Sequence, residues 1–133
     1  DQQSSSAQFL YLIQCIETLL PKAEGGQVCP KCNRDIGPGP TARFVNFLNH
    51  MVPGHLELTK GRKSLYKLRS DLSHGWDLFT RDLRNVMSPK SSDQLLRTHE
   101  AYQLARLALI NWLIKQSPQP EPSADDSTVV PLT

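Results

Sequence analysis

Arg69 and His74 stand with four residues between them in the stretch LYKLRSDLSHGWDLF, residues 65–79. As residue types they suit chemistry on an anionic substrate. An imidazole titrates near neutrality and can take or give a proton, and a guanidinium is a permanent cation that stabilises negative charge. Ser70, Asp71 and Ser73 lie between them. Around these polar groups, Leu65, Leu68, Leu72, Trp76, Phe79, Leu83 and Val86 recur at a mean step of 3.5, the mark of one helix face turned to a core. The polar side chains are therefore carried on a rigid element, where a site can be held in place. Five steps of about 100° put His74 roughly 140° around a straight helix from Arg69, whereas Ser70 and His74 share a face. Either Arg69 reaches round with its long side chain or the helix loosens near Gly75. A purely structural role stands beside the chemical one, with Arg69 paired to Asp71, Asp77 or a terminal carboxylate and His74 packed beside Trp76.

A second group of residues has the types of a metal site. Cys29 and Cys32, in VCPKC, have the two-residue spacing of half a zinc site, and His50 and His55, in HMVPGH, have a spacing that zinc-binding histidines also use. Together they read C-x2-C-x17-H-x4-H, longer than the usual finger, so the choice is between a structural Zn2+ and a free-thiol knuckle. Any zinc here would be structural, since these residues lie far in sequence from Arg69 and His74. A third group is basic: Lys60, Arg62, Lys63, Lys67 and Arg69 fall within ten positions together with Tyr66, a patch that can hold a phosphate backbone or form a solvated helix face. His99, beside Glu100, reads as a packed or solvent-facing histidine. Glycine-rich phosphate loops, two-metal carboxylate clusters and Ser/His/Asp arrangements are absent from the sequence.

Four amphipathic segments position these groups. Ser4, Ser5 and Ser6 are N-cap types, and Phe9, Leu12, Ile13, Ile16, Leu19 and Leu20 follow at helical spacing up to Pro21. Cys15, beside this stripe, reads as a small buried hydrophobe. Residues 22–40 hold four glycines and three prolines, so the cysteine pair falls in a long loop or small inserted knuckle. Thr41 is the expected cap of a second helix burying Phe44, Val45, Phe47, Leu48 and Met51, with Pro53 and Gly54 as its stop. The motif helix is expected from about Ser64 to Asn85 if it passes through Gly75, where a break is the alternative. Ser91 and Gln94 match a capping box for a last helix over Asp93 to Gln116 that is apolar over much of its surface, so that a partner is expected to cover part of it. From Ser117 onward, four prolines and three acids give the composition of an unordered tail.

With 133 residues and a hydrophobic content of 38%, one compact all-α domain over residues 1–116 is expected, followed by the tail at 117–133. Apolar runs are broken well before 18 residues, so no membrane span is expected, and DQQSSS has neither the basic start nor the apolar region of a secretory signal. Three cysteines make a poor disulfide framework and point to a reducing, cytoplasmic setting. The chain starts at Asp1 rather than Met, which leaves room for a neighbouring domain. A net charge of +2 puts the weight of any polyanion binding on the local patch rather than on the whole field.

LYKLRSDLSHG, at residues 65–75, resembles the R-x4-6-H signature of HEPN domains, and Gly75 with Leu65-Tyr66 is similar to the Apea-like branch of that superfamily. The order of helices over about Ser6 to Gln116 also resembles it, as a four-to-five-helix HEPN-like bundle with a Cys-containing insertion between the first two helices. What the resemblance implies is a homodimer and, in many members, a metal-independent endoribonuclease assembled where two motifs meet, associated with phage defence and stress. It would make Arg69 and His74 catalytic, with Ser70 and Asp71 supporting them and Lys60, Arg62, Lys63 and Lys67 on the RNA backbone. The chain departs from many active members, which carry Asn, Asp or His directly after the arginine where this one has Ser70. That difference bears on catalysis rather than on fold. Metal-free RNA cleavage needs a base, an acid and positive charge on the phosphorane, and two protomers would supply two histidines and two arginines. The competing reading is a non-catalytic helical module that dimerises, binds RNA or a nucleotide and regulates a partner. A third reading is a scaffold that docks its last helix on a larger protein.

Overall fold

The computed structural model describes residues 4–22, 28–34, 36–55, 57–80, 82–83 and 89–117. It is all-α, with helices α1 (Ser5–Leu19), α2 (Pro40–Met51), α3 (Leu58–Ser73) and α4 (Pro89–Gln116). Their main contacts pair α1 with α4 and α3, and α2 with α3 and α4. The four helices thus close a ring around one core. The tail beyond Ser117, Val86 and the remainder of the expected loop lie outside the described residues.

α1 starts where Ser4 Oγ accepts the amide of Ala7 at 3.2 Å. It buries Phe9, Ile13 and Ile16 on one face and stops at Leu20, whose extended backbone suits a residue ahead of Pro21. Cys15 lies on the exposed side of α1, so the expected burial does not hold. α2 begins two residues earlier than expected: Gly39, not Thr41, is the N-cap and Pro40 the first helical residue, where its missing N–H is no loss. Phe44, Val45, Phe47 and Leu48 fill the core from α2. Its end is tied down from two sides, with Asn111 Nδ2 donating to the Met51 carbonyl at 2.7 Å and Arg62 donating to the Val52 carbonyl at 2.5 Å.

α3 differs most from the expectation of residues 64–85. It starts earlier, at Leu58, and ends at Ser73. Leu65 and Leu72 are buried, but Trp76 is 76% exposed and Leu83 is exposed, so the seven apolar positions do not share one face. The repeat is in phase by sequence, yet the chain leaves the helix within it. Beyond the break Phe79 returns to the core with its ring 5.6 Å from that of Phe9. α4 also begins earlier than expected. Gln94 closes no capping box; its side-chain oxygen accepts both the amide and the hydroxyl of Thr80 at 2.9 Å. Ala101 and Ala108, two turns apart, are the fully buried residues of α4, and small side chains there let the helix lie close to its neighbours. Leu95, Leu96, Tyr102, Leu107, Leu109, Ile110, Leu113 and Ile114 stay exposed.

Asp82 locks the post-α3 segment onto the start of α1. Its carboxylate accepts Ser4 Oγ at 2.8 Å, the Ser5 amide at 2.7 Å and the Ser6 amide at 2.8 Å, and Ser6 Oγ in turn accepts the Phe79 amide at 2.9 Å. Burial pushes the carboxyl up, but hydrogen bonds from Ser6, Ser4 and Ser5 outweigh it and hold the group below its ordinary value. A folded value below the unfolded one gives stability that is full above the unfolded value and is lost as pH falls through the folded one. Replacing Asp82 with Ala should cost about 1–2 kcal/mol at neutral pH, and the gap should narrow below about pH 4. Urea unfolding at both pH values checks this, and a gap unchanged in acid would contradict the role.

Candidate functional site

The end of α3 is a helix stop built around a left-handed residue. Gly75 has φ of 72°, the Gly75 amide donates to the Leu72 carbonyl at 3.2 Å and the Trp76 amide to the Asp71 carbonyl at 2.9 Å. This is the paired hydrogen-bond pattern of a Schellman stop, which glycine favours because a Cβ is strained at that φ. It leaves His74 as the C-cap, exposed at the open end of the helix. The His74 ring stacks on the indole of Trp76, with centroids 5.0 Å apart and planes at 28°.

Helix geometry places His74 within about 20° of Lys63 and Lys67 and about 40° of Lys60 around α3. The three lysines are exposed, so one stripe carries cationic side chains up to the His74–Trp76 pair. Asp71 falls on the same stripe and pairs with Lys67 at 2.6 Å. Such an exposed pair is worth little and is readily exchanged for another anion.

Arg69 points elsewhere. Its guanidinium pairs with Glu17 of α1 at 3.1 Å and lies 5.7 Å from the centre of the Tyr66 ring. Glu17 also accepts the Tyr66 hydroxyl at 3.2 Å. Burial first, and then the charge and hydrogen bond of Glu17, raise the Tyr66 phenol above its ordinary value. Asp71 and Asp77 are not the partners of Arg69, since Asp71 holds Lys67 and Asp77 accepts the amide of Leu78. Arg69 and His74 thus lie on different sides of α3, as their spacing implies, with Arg69 turned to α1 and His74 to the outgoing turn. Ser70 contributes its carbonyl, which accepts the His74 amide at 3.0 Å.

Arg62 leaves the basic patch. It is 3% exposed, and its guanidinium donates to Asn49 Oδ1 at 2.6 Å as well as to Val52, joining α3 to α2. Burial lowers its pKa from the ordinary value while the charge of Glu100 opposes the shift. The position that looked phosphate-facing is a buried tie because α3 starts at Leu58 and turns that side toward α2.

The four candidate metal ligands are not brought together. Among the described residues, no group of three or more His, Cys, Asp or Glu side chains is placed to hold an ion. His50 Nε2 lies 2.9 Å from Lys115 Nζ, and His55 is exposed with its carbonyl accepting the Leu58 amide. Cys29 and Cys32 are free thiols, the first half-buried and the second exposed. A cavity of about 1070 Å³ opens between the end of α1, the Gly37–Pro40 stretch, α2 and the end of α4, with Arg43, Phe47, His50 and Trp112 among its walls. A smaller recess of about 250 Å³, bounded by Glu17, Arg43 and Tyr66, adjoins it. Neither is lined by Arg69 or His74.

Sequence reasoning missed Glu17 and the exposure of Trp76. Nothing in the chain order marks Glu17, because its pairing depends on how α1 lies on α3. Gly75 was the available signal for Trp76. Comparison with protein-family models, curated proteins and solved structures gives no match for this chain. The class that the fold defines is an all-α protein, with four helices among the described residues, and among these no helix is long and apolar enough to cross a membrane.

The site depends on the stop at Gly75. Nothing lies within 4 Å of a Cβ built there, so a side chain meets strain from φ alone. Gly75→Ala should lose about 1–2 kcal/mol on chemical unfolding and weaken the His74–Trp76 stack, with Gly75→Asn losing less. Equal stability of Gly75→Ala and the parent would show that the left-handed stop is not needed.

Proposed function

We propose that this chain is a HEPN-like RNA-binding and RNA-cleaving module that acts as a symmetric pair of identical copies without a metal. The observation that carries the reading is the exposed lysine stripe of α3 that runs into the exposed His74–Trp76 pair. Lysines at 60, 63 and 67 suit a phosphate backbone, and an indole at the end of the stripe is a surface on which an unstacked base can lie. His74 is the proton-transfer group beside that surface. The exposed apolar length of α4, with Leu96, Leu107, Ile110 and Ile114, supports self-association.

In this mechanism His74 of one copy takes the proton of the 2′-hydroxyl, whose oxygen attacks the adjacent phosphorus. The bond to the 5′-oxygen breaks, and His74 of the other copy supplies the proton that this leaving oxygen needs. The products are a 2′,3′-cyclic phosphate and a 5′-hydroxyl. Arg69 stabilises the charged phosphorane after its guanidinium exchanges Glu17 for a phosphate oxygen. The second reading, a non-catalytic RNA-binding module, is favoured by that same Glu17 contact, which engages Arg69 within the single chain.

Incubation of the purified chain with end-labelled single-stranded RNA in the presence of a chelator tests both. Cyclic phosphate ends are expected, with His74→Ala and Arg69→Ala slowing cleavage by about 10²-fold or more while binding persists. Binding that weakens with salt but leaves no cut ends would establish the non-catalytic reading. A chain that neither binds nor cuts would sink the proposal.

A further inference from the structure

The cavity between the ends of α1 and α4 has no part in the RNA reading, since neither Arg69 nor His74 lines it. Its volume of about 1070 Å³ is ample for a ring-sized organic molecule. Leu19 and Leu20 at the exit of α1, Phe47 and Met51 of α2 and Trp112 of α4 form an apolar wall, and each belongs to the hydrophobic core or packs against it. That wall is held in place by the fold itself.

The polar part of the lining has one sign. Lys22, Arg43 and His50 are the wall residues that carry or can accept positive charge, and no Asp or Glu stands among the described residues of the lining. Arg43 is oriented, because its Nη2 donates to the Pro21 carbonyl at 2.8 Å, and among the described residues no carboxylate pairs with it. Its other N–H groups remain donors. Positions 43, 47 and 50 are spaced i, i+4 and i+7, so α2 carries Arg43 and His50 on either side of Phe47 along one face. Lys115 Nζ, 2.9 Å from His50 Nε2, brings a further cation from α4. An ammonium has no acceptor, so it donates to that nitrogen and leaves the proton of the imidazole on Nδ1 as a donor. Glu17, the acid of the adjoining recess, is already engaged by Arg69 at 3.1 Å and the Tyr66 hydroxyl at 3.2 Å.

We infer that this cavity is a binding site for a small aromatic organic anion, whose apolar body lies against Phe47, Met51 and Trp112 and whose acid group meets Arg43 and His50. Charge complementarity selects the sign, and the apolar wall selects the body. An RNA strand is charged along its whole length and fits this lining poorly. The site is therefore separate from the lysine stripe of α3 and stands or falls without the RNA reading.

The test is titration of the full chain with two fluorescent probes, 1-anilinonaphthalene-8-sulfonate and its uncharged counterpart N-phenyl-1-naphthylamine. The sulfonate should saturate at one molecule per chain and bind about tenfold or more tightly than the neutral probe. Arg43→Met and His50→Gln should each remove most of that difference with helical content unchanged. The two tryptophans report the place, since the Trp112 indole N–H resonance should move on binding and that of Trp76 should stay. Addition of 1-naphthoate should displace the probe, whereas inorganic phosphate should not. Equal affinity for the two probes, movement of Trp76 instead of Trp112, or displacement by inorganic phosphate would overturn the inference. The comparison of probes on the parent chain decides the matter even if a variant fails to fold. Single-stranded RNA should leave the bound probe in place, and displacement by it would return the cavity to the RNA surface and end its assignment as a separate site.

Discussion

The left-handed turn at Gly75 is the constraint on which the rest of the structure depends. Two hydrogen bonds close the end of α3 there, and the chain leaves along a path that an uninterrupted helix would not permit. That path carries Phe79 back beside Phe9, Asp82 onto the first amides of α1 and Thr80 onto Gln94 of α4. One glycine therefore links the end of the third helix to the start of the first and to the fourth. Asp82 accepts amides that the start of α1 would leave unpaired, and Phe79 is removed from water.

The two motif residues face different directions. His74 is at the exposed end of α3, stacked on Trp76. Arg69, two positions beyond Lys67, faces α1 and is held by a carboxylate and an aromatic ring. Pairing inside one chain gives Arg69 a fixed orientation at the cost of availability. Water screens its attraction to Glu17, because both partners are partly exposed. Arg62 shows the opposite case. Nearly sealed from water and bonded to a backbone carbonyl and an amide oxygen, it cannot be traded for a ligand without leaving buried polar groups unmatched.

α4 leaves leucines and isoleucines exposed along its outer side, whereas Ala101 and Ala108 on its inner side are sealed from water and let it lie close to its neighbours.

The sequence by itself determined the all-α class, the buried faces of α1 and α2, and the angular separation of Arg69 and His74, because these follow from local periodicity and from fixed helix geometry. Gly75 was legible as an alternative end of α3, yet periodicity alone favoured continuation. Only the tertiary structure decided that it does end there, since Phe79 and Asp82 gain partners on α1 that a straight helix could not reach. Tertiary packing likewise decided that Glu17 holds Arg69, that Gln94 receives Thr80 instead of closing a capping box, and that Arg62 is buried. Each of these is a contact between residues far apart in the chain, and a one-dimensional pattern carries no record of which helix faces meet.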